Sequence, residues 1–552
     1  MKRKIYSLIV AFAMVFATSC GDLDLLDSPN EVTASTADPS WVLNNVQLAY
    51  AGMFEGISNT GAQLTRILSQ PNVNYQNAYN ATALNGVWST SYATILSDIK
   101  FIETELNTPE RPIPRHVAIA KVIKAMVLMH LVDHLGDVPY SKALNPADFF
   151  PTVDSAADVY KVALDELVAA RAAFAIPTAA LPTDLYFNNN LTRWQRLVNT
   201  LELKYYLNTK LVNSGSAARI AALVAEDNLL KEGDDFVFRY GTSQTNPDSR
   251  APKFGQYGGG GGAYQSTFYM FHLTEAKGFD DPRVRYYLYR QVTKNPTDPD
   301  KLRCLGEIAP GHYLAGGFPF CLPDFSPTGR GYWGRDHLNN EGIPPDGFER
   351  TMYGLYPAGG RFDDNSASPV NSPLLGAGGA GLQPIMLSAY VDFMVAEAIQ
   401  TLGVPGDAKA RVASGIRKHM NFVRAFSTAS SQGAIVTAFQ PNNIFNSLVD
   451  SYIAAVNTEW DAAPANRKMN LIAREYWLSL FGNGVESYNL HRRTGQPDKM
   501  QPGLAVDPGL FPRSFLYPTD FVVTNKNAPP QKANLGQRVF WDTNPEGNGW
   551  IN

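Results

Sequence analysis

The chain has 552 residues, 45% of them hydrophobic and 18% charged, with a formal net charge of −4. That is ample apolar material for a core. The lack of a basic surplus argues against nucleic acid as a partner, because phosphate binding needs a positive face.

At the N-terminus, Lys2, Arg3 and Lys4 precede an apolar run from Ile5 to Ala17, and small residues then lead to Cys20. This is the build of a cleaved secretory leader over residues 1–19, with a run too short to be a stable membrane anchor. Its ending resembles a bacterial lipoprotein signal, in which Cys20 becomes the lipidated first residue of the mature chain. The usual Leu three positions upstream is Ala17 here, and an ordinary leader in which Cys20 has no role is the alternative. Asp22, Asp24 and Asp27 resemble the surface-export signal of Bacteroidetes lipoproteins. Acyl chains would hold the protein at a membrane surface, and no later segment reaches the ~18 apolar residues of a transmembrane helix. Loss of the leader removes three basic residues from the net charge of −4 and leaves the mature chain near −7.

The next elements read as helices. Residues 41–54 are the first candidate, and residues 86–107 follow with Val87, Tyr92, Ile95, Leu96, Ile99 and Ile102 at helical spacing. Residues 115–135 carry a broad apolar face and stop at Gly136, with Pro139 just beyond. Residues 153–174 and 192–212 continue the pattern, which resumes at 384–403, 407–426, 443–458 and 465–482. Between them, residues 251–380 hold 22 of the 44 glycines together with recurrent Pro, Asn, Phe, Tyr and Trp. Gly and Pro break helices, so this is read as an ordered, loop-rich insertion of the kind that often carries function. The expected organisation is a single domain over 20–552, with a mainly α scaffold at about 40–230 and 384–500 and the insertion at about 231–383.

Motifs for chemistry are sparse. The glycine-rich "QYGGGGGAY" (256–264) lacks the lysine and the strand-to-helix setting of a phosphate loop. Neither HExxH nor GxSxG occurs. His130 and His134 lie one helical turn apart and could share a metal, but two histidines do not make a site, and packing or capping is favoured. Cys304 and Cys321, the only other cysteines, are spaced to close a short loop; a disulfide and two free thiols both fit. "GRDHLNNEGIPPDG" (334–347) gathers hydrogen-bonding side chains that could build turns, contact a ligand, or offer calcium ligands at Asp336, Asn340 and Glu341. In "QPNVNYQNAYN" (70–80), Tyr75 and Tyr79 alternate with amides and charge is absent. Stacking rings beside amides suit a neutral glycan; a solvated loop is the alternative. The candidate ligand residues are Tyr75, Tyr79 and Trp88 from the first half, with Tyr332, Trp333, Asp336 and Asn339 from the insertion.

These segments, taken in order, resemble the SusD/RagB family of Bacteroidetes outer-membrane lipoproteins. The resemblance runs through "CGDLDLLDSPNEVT" (20–33), "LVDHLGDVPYSKAL" (131–144), "WQRLVNTLELKYYL" (194–207), "DDPRV" (280–284), "GRDHLNNEGIPPDG", "YVDFMVAEAIQTLG" (390–403), "LFGNGVESYNLHRRTGQP" (480–497) and "PRSFLYP" (512–518). One departure is Arg474, Glu475 and Tyr476, where the family often has Gln-Lys-Tyr. The resemblance implies a tetratricopeptide-like scaffold of helix pairs with an irregular, loop-rich face and no catalysis. It implies a surface-exposed, lipid-anchored protein of the outer membrane that binds an oligosaccharide, or a peptide as in some relatives. It further implies a partnership with a SusC-like TonB-dependent transporter, without a cofactor. A surface glycoside hydrolase is the competing reading. The motifs themselves read as structural, with Gly136 and Pro139 ending a helix and Arg492 or Arg493 in buried ion pairs or carbonyl hydrogen bonds.

Overall fold

The computed structural model describes residues 36–257, 264–295, 307–318, 320, 329–339 and 348–544. The leader, Cys20, Cys304, Cys321, Asn340 and Glu341 fall outside them, and so do the lipidation, the disulfide and most of the calcium site expected there.

The fold is mainly α, as the periodicity requires. The long helices are α1 (Pro39–Leu64), α2 (Pro114–Leu135), α3 (Ala156–Phe174), α4 (Leu191–Asn208) and α5 (Ser216–Ala225) in the first half. The second half adds α6 (Thr267–Thr274), α7 (Ser388–Leu402), α8 (Ala408–Ala429), α9 (Gly433–Phe439), α10 (Asn442–Ala462), α11 (Lys468–Ser479) and α12 (Gly484–Thr494). Residues 85–106 are helical throughout but alternate α turns with π turns at Thr90–Leu96 and Ile102–Leu106. The starts follow the usual chemistry: Asp38, Ser155, Asn190, Asp407 and Asn483 each accept a backbone N–H of the first turn. Gly136 ends α2 with φ +78°, and Gly403 and Gly495 end α7 and α12 in the left-handed region.

Helices next to each other in the chain pack together, α2 on α3, α4 on α5 and α7 on α8, in the tetratricopeptide-like manner expected. Helix α2 is buried on nearly every side, which is why its apolar face reads so broad. The two ends of the chain meet where α1 crosses the start of α12. There a Cβ on Gly61 would lie 2.2 Å from the Gly484 carbonyl oxygen, and one on Gly484 would lie 2.0 Å from the Ala62 nitrogen. Only glycine permits this backbone contact.

Buried charges lock the frame. Arg493 grips Glu397 through two 2.8 Å bonds, and Lys210 adds a third at 2.8 Å. Arg492 donates to the Arg513 carbonyl at 2.8 Å and lies 3.8 Å over the Tyr488 ring. Both arginines of "HRRTG" are therefore structural. His130 and His134 are core residues too: His130 Nε2 meets Tyr50 Oη at 3.1 Å, and His134 Nδ1 meets the His130 carbonyl at 2.8 Å.

The insertion is pinched at its base. Strand β1 (Phe236–Arg239) at its start pairs antiparallel with β4 (Leu382–Met386) at its end, in the register Arg239↔Leu382. This corrects the expected helix at 384–403, which begins only at Ser388. Within the insertion the regular pairing is the short antiparallel ladder of β2 (Leu288–Tyr289) with β3 (Met352–Tyr353).

Candidate functional site

The two segments singled out for ligand binding do meet. Tyr75 lies 5.7 Å from the His337 ring, and its backbone N–H donates to the Pro508 carbonyl at 2.9 Å. Arg66 donates to the Gln501 carbonyl at 2.8 Å and to Tyr75 Oη at 3.0 Å, while Gln501 Nε2 donates to Asp336 at 2.7 Å. What comes together, however, is an interior seam. Tyr75, Tyr79, Tyr332 and Trp333 are at most 3% exposed, and Asn339 is buried. Tyr79 Oη accepts from Gln70 at 3.1 Å, and its ring meets Phe515 edge-on. Tyr332 lies under Arg290 at 4.7 Å and donates to Asp363 at 3.3 Å. Reading these four rings as ligand platforms is corrected: the segment has little helix with which to build a core, so its aromatic side chains build one. Asp336 is half-buried and tied to Gln501. Trp88 is half-buried, against Tyr92 at 4.4 Å and Phe521 at 4.7 Å, and its indole N–H has no protein acceptor. Among the described residues no cluster of three His, Cys, Asp or Glu could hold a metal.

An open groove of about 760 Å³ lies elsewhere, at the base of the insertion. Its walls are β1 with the residues on either side of it, the 377–381 turn and one face of α8. Phe422 and Phe426, one helical turn apart on α8, are half-buried and packed edge-on against Tyr356 at 6.2 and 6.0 Å. Tyr240 faces the same space, held by its N–H to the Gly381 carbonyl at 2.9 Å and edge-on to Phe238 at 5.1 Å. Burial, aided by the Glu55 carboxylate, pushes its phenol above the ordinary tyrosine range, so it stays protonated and able to donate. Arg239, Glu232 and Asn421 line the groove without side-chain partners. By contrast, Lys418 is paired with Asp392 at 2.8 Å and Arg193 with Asp234 at 3.2 Å. Asp235 Oδ1 accepts both the N–H of Ser388, at 2.8 Å, and its hydroxyl, at 3.0 Å; burial raises its pKa. The volume is that of a small-ligand site. Three rings beside free amide and charged groups can stack on one face of a sugar and hydrogen-bond its hydroxyls. Sequence reasoning missed these residues. The signal was present in α8, where Phe422 and Phe426 form an aromatic pair off the core stripe of Val412, Ile416, Met420 and Val423.

Residues 29–302 match the SusD-like family described as "Starch-binding associating with outer membrane". No curated protein matches the chain. Among solved structures, a SusD homologue from Bacteroides fragilis is 18% identical, with 92% of this chain and 99% of that one covered and a TM-score of 0.64. A SusD/RagB family protein from Bacteroides thetaiotaomicron is 16% identical over 92% of this chain and all of that one, with a TM-score of 0.65. A chitin-binding protein is 18% identical over the same shares, with a TM-score of 0.63.

Proposed function

We propose, on the premise that this chain belongs to the SusD/RagB family, that it captures an oligosaccharide at the cell surface and hands it to a SusC-like TonB-dependent transporter. The family is a nutrient-binding one associated with the outer membrane. The sugar ligand, the transporter partner and the lipid anchor at Cys20 are parts of this proposal. The observation that carries it is the groove of about 760 Å³ with Tyr240, Phe422 and Phe426 on its walls. Binding without cleavage follows the family, whose members bind carbohydrate rather than act on it.

The test is isothermal titration with a panel of neutral oligosaccharides, including starch and chitin fragments, and with short peptides. A glycan is expected to bind, with Phe426→Ala and Tyr240→Ala each weakening it about tenfold, the ~1.4 kcal/mol of one lost stacking surface. Binding of peptides alone would move the protein to the peptide branch. Release of reducing ends from a glycan would replace the binding reading with an enzymatic one. Glycan binding left unchanged by both variants would remove it from the groove.

A further inference from the structure

A second cavity, of about 290 Å³, lies between α6 and α11 and shares no lining residue with the groove. Phe268, Phe271 and Phe318 form an apolar wall; Arg467, Asn470, Arg474, Asp498 and Lys499 stand around the rest. Most of this charge is already paired. Lys277 sits 3.6 Å from Asp281 and donates to the His272 carbonyl at 2.7 Å. Arg474 holds Glu459 through two 2.7 Å bonds and Glu475 at 2.9 Å, and Arg467 pairs with Asp498. Lys499 is exposed and has no ion pair or hydrogen bond, which makes it the one cation among the lining residues without a partner. Asn470 accepts the Asp498 N–H at 2.9 Å through its oxygen, which leaves its amide hydrogens free.

His272 supplies another donor. Its ring is fixed edge-on between Phe268 at 4.5 Å and Trp477 at 5.3 Å. Burial, with Lys277 and Arg474 adding, pushes its pKa to about 3, so at neutral pH the ring carries a single proton. Nδ1 is buried without a partner. A sealed acceptor costs less than a sealed N–H, so the proton belongs on Nε2, the nitrogen left open to the cavity.

We propose that this cavity binds a small monocarboxylate with a flat apolar body, an aromatic acid. The ring would lie against Phe268, Phe271 and Phe318, and the carboxylate would accept from Lys499, the Asn470 amide and His272 Nε2–H. One unpartnered cation, Lys499, matches one negative charge rather than two. The volume sits at the lower edge of small-ligand sites and suits a single ring. The proposal stands independently of what the groove holds.

The test is isothermal titration of the full chain with benzoate and with benzamide, its uncharged counterpart, while the His272 imidazole resonances are followed by NMR. Benzoate is expected to bind and to shift those resonances, with benzamide about tenfold weaker, the loss of the charge-assisted contacts. Lys499→Met should weaken benzoate by a similar factor, and Lys499→Arg should restore it; both changes lie on an exposed side chain. Equal binding of benzoate and benzamide would overturn the proposal. So would benzoate affinity unchanged in Lys499→Met, or benzoate giving neither heat nor a shift at His272.

Discussion

Residues 114–208 and the described residues of 264–380 both close around buried side chains, but by different routes. In the first, aliphatic residues at helical spacing, such as Val122, Ile123, Met126 and Val127, make the core, and the backbone bonds itself within α2, α3 and α4. In the second, backbone groups bond between loops far apart in sequence. Thr267 N–H reaches the Arg335 carbonyl at 3.0 Å, Thr351 that of Trp333 at 2.8 Å, and Tyr356 that of Tyr286 at 2.9 Å. The filling there is aromatic, and guanidinium groups cap the rings: Arg290 over Tyr332 at 4.7 Å, Arg335 over Tyr264 at 5.0 Å and Arg361 over Tyr289 at 4.6 Å. Flat rings with hydrogen-bonding edges can fill space that irregular backbone leaves, while their hydroxyls satisfy stray carbonyls, as Tyr257 does for Tyr353 at 2.6 Å. An aromatic-rich loop segment can thus be a core made by other means.

One substitution in each region tests this contrast with the largest effects expected. Glu397→Gln in the helical frame leaves Arg493 and Lys210 buried without their carboxylate. Burial alone would raise the Glu397 pKa, but these two cations hold it below its ordinary value. Stability should fall by about 3–5 kcal/mol. Trp333→Ala in the insertion should cost a similar ~3–5 kcal/mol, as for any large buried ring. Both are read from urea midpoints. A loss under ~1 kcal/mol for Trp333→Ala, with glycan binding abolished, would return Trp333 to the ligand site and break the contrast.

A smaller effect is expected at the junction between the frame and the C-terminal segment. Lys532 Nζ donates to the Leu135 carbonyl at 2.7 Å and to Ser514 Oγ at 2.8 Å. Burial lowers its pKa to about 7, against the pull of Asp137 and with the push of Arg492. The unfolded chain keeps an ordinary lysine near 10.4. Between these values the unfolded state binds more protons than the folded one, so stability rises with pH across that window and the penalty is fully present below it. From pH 7 to 8.5 the native protein should gain about 1.5 kcal/mol relative to Lys532→Met. A pH-independent difference between the two proteins would show that Lys532 is not held in a desolvated site.

The frame was readable because helix leaves a periodic trace. Pro114–Leu135 and Ala408–Ala429 fall within a few residues of where apolar spacing puts them. Shorter elements did not announce themselves: Phe236–Arg239 and Leu382–Met386 become strands only by finding each other across some 140 residues of chain. The site was less readable for a related reason. Tyr75 and Trp333 have the composition of a binding surface, and their burial depends on the 501–511 segment and on Tyr264, which no local pattern connects to them. The groove is likewise assembled from β1, the 377–381 turn and α8, three segments whose apposition exists only in the folded chain.

Trp88 gives the finest separation between composition and geometry. Of the candidate rings taken from sequence it alone keeps a free polar atom at a partly open surface, and it stacks with Tyr92 and Phe521 rather than facing the groove. Tyr92 is itself anchored, donating to the Pro139 carbonyl at 2.7 Å, so the indole packs on a fixed neighbour. Trp88→Ala should therefore cost about 1–2 kcal/mol in stability, for a half-buried ring that loses part of its contact area. Glycan affinity should change by less than about twofold, since the ring lines no part of the groove. Titration of Trp88→Ala beside Phe426→Ala decides between the two surfaces. A tenfold loss confined to Trp88→Ala would place the ligand on the N-terminal face, while a loss confined to Phe426→Ala would leave Trp88 as a packing residue of the 85–106 helical stretch.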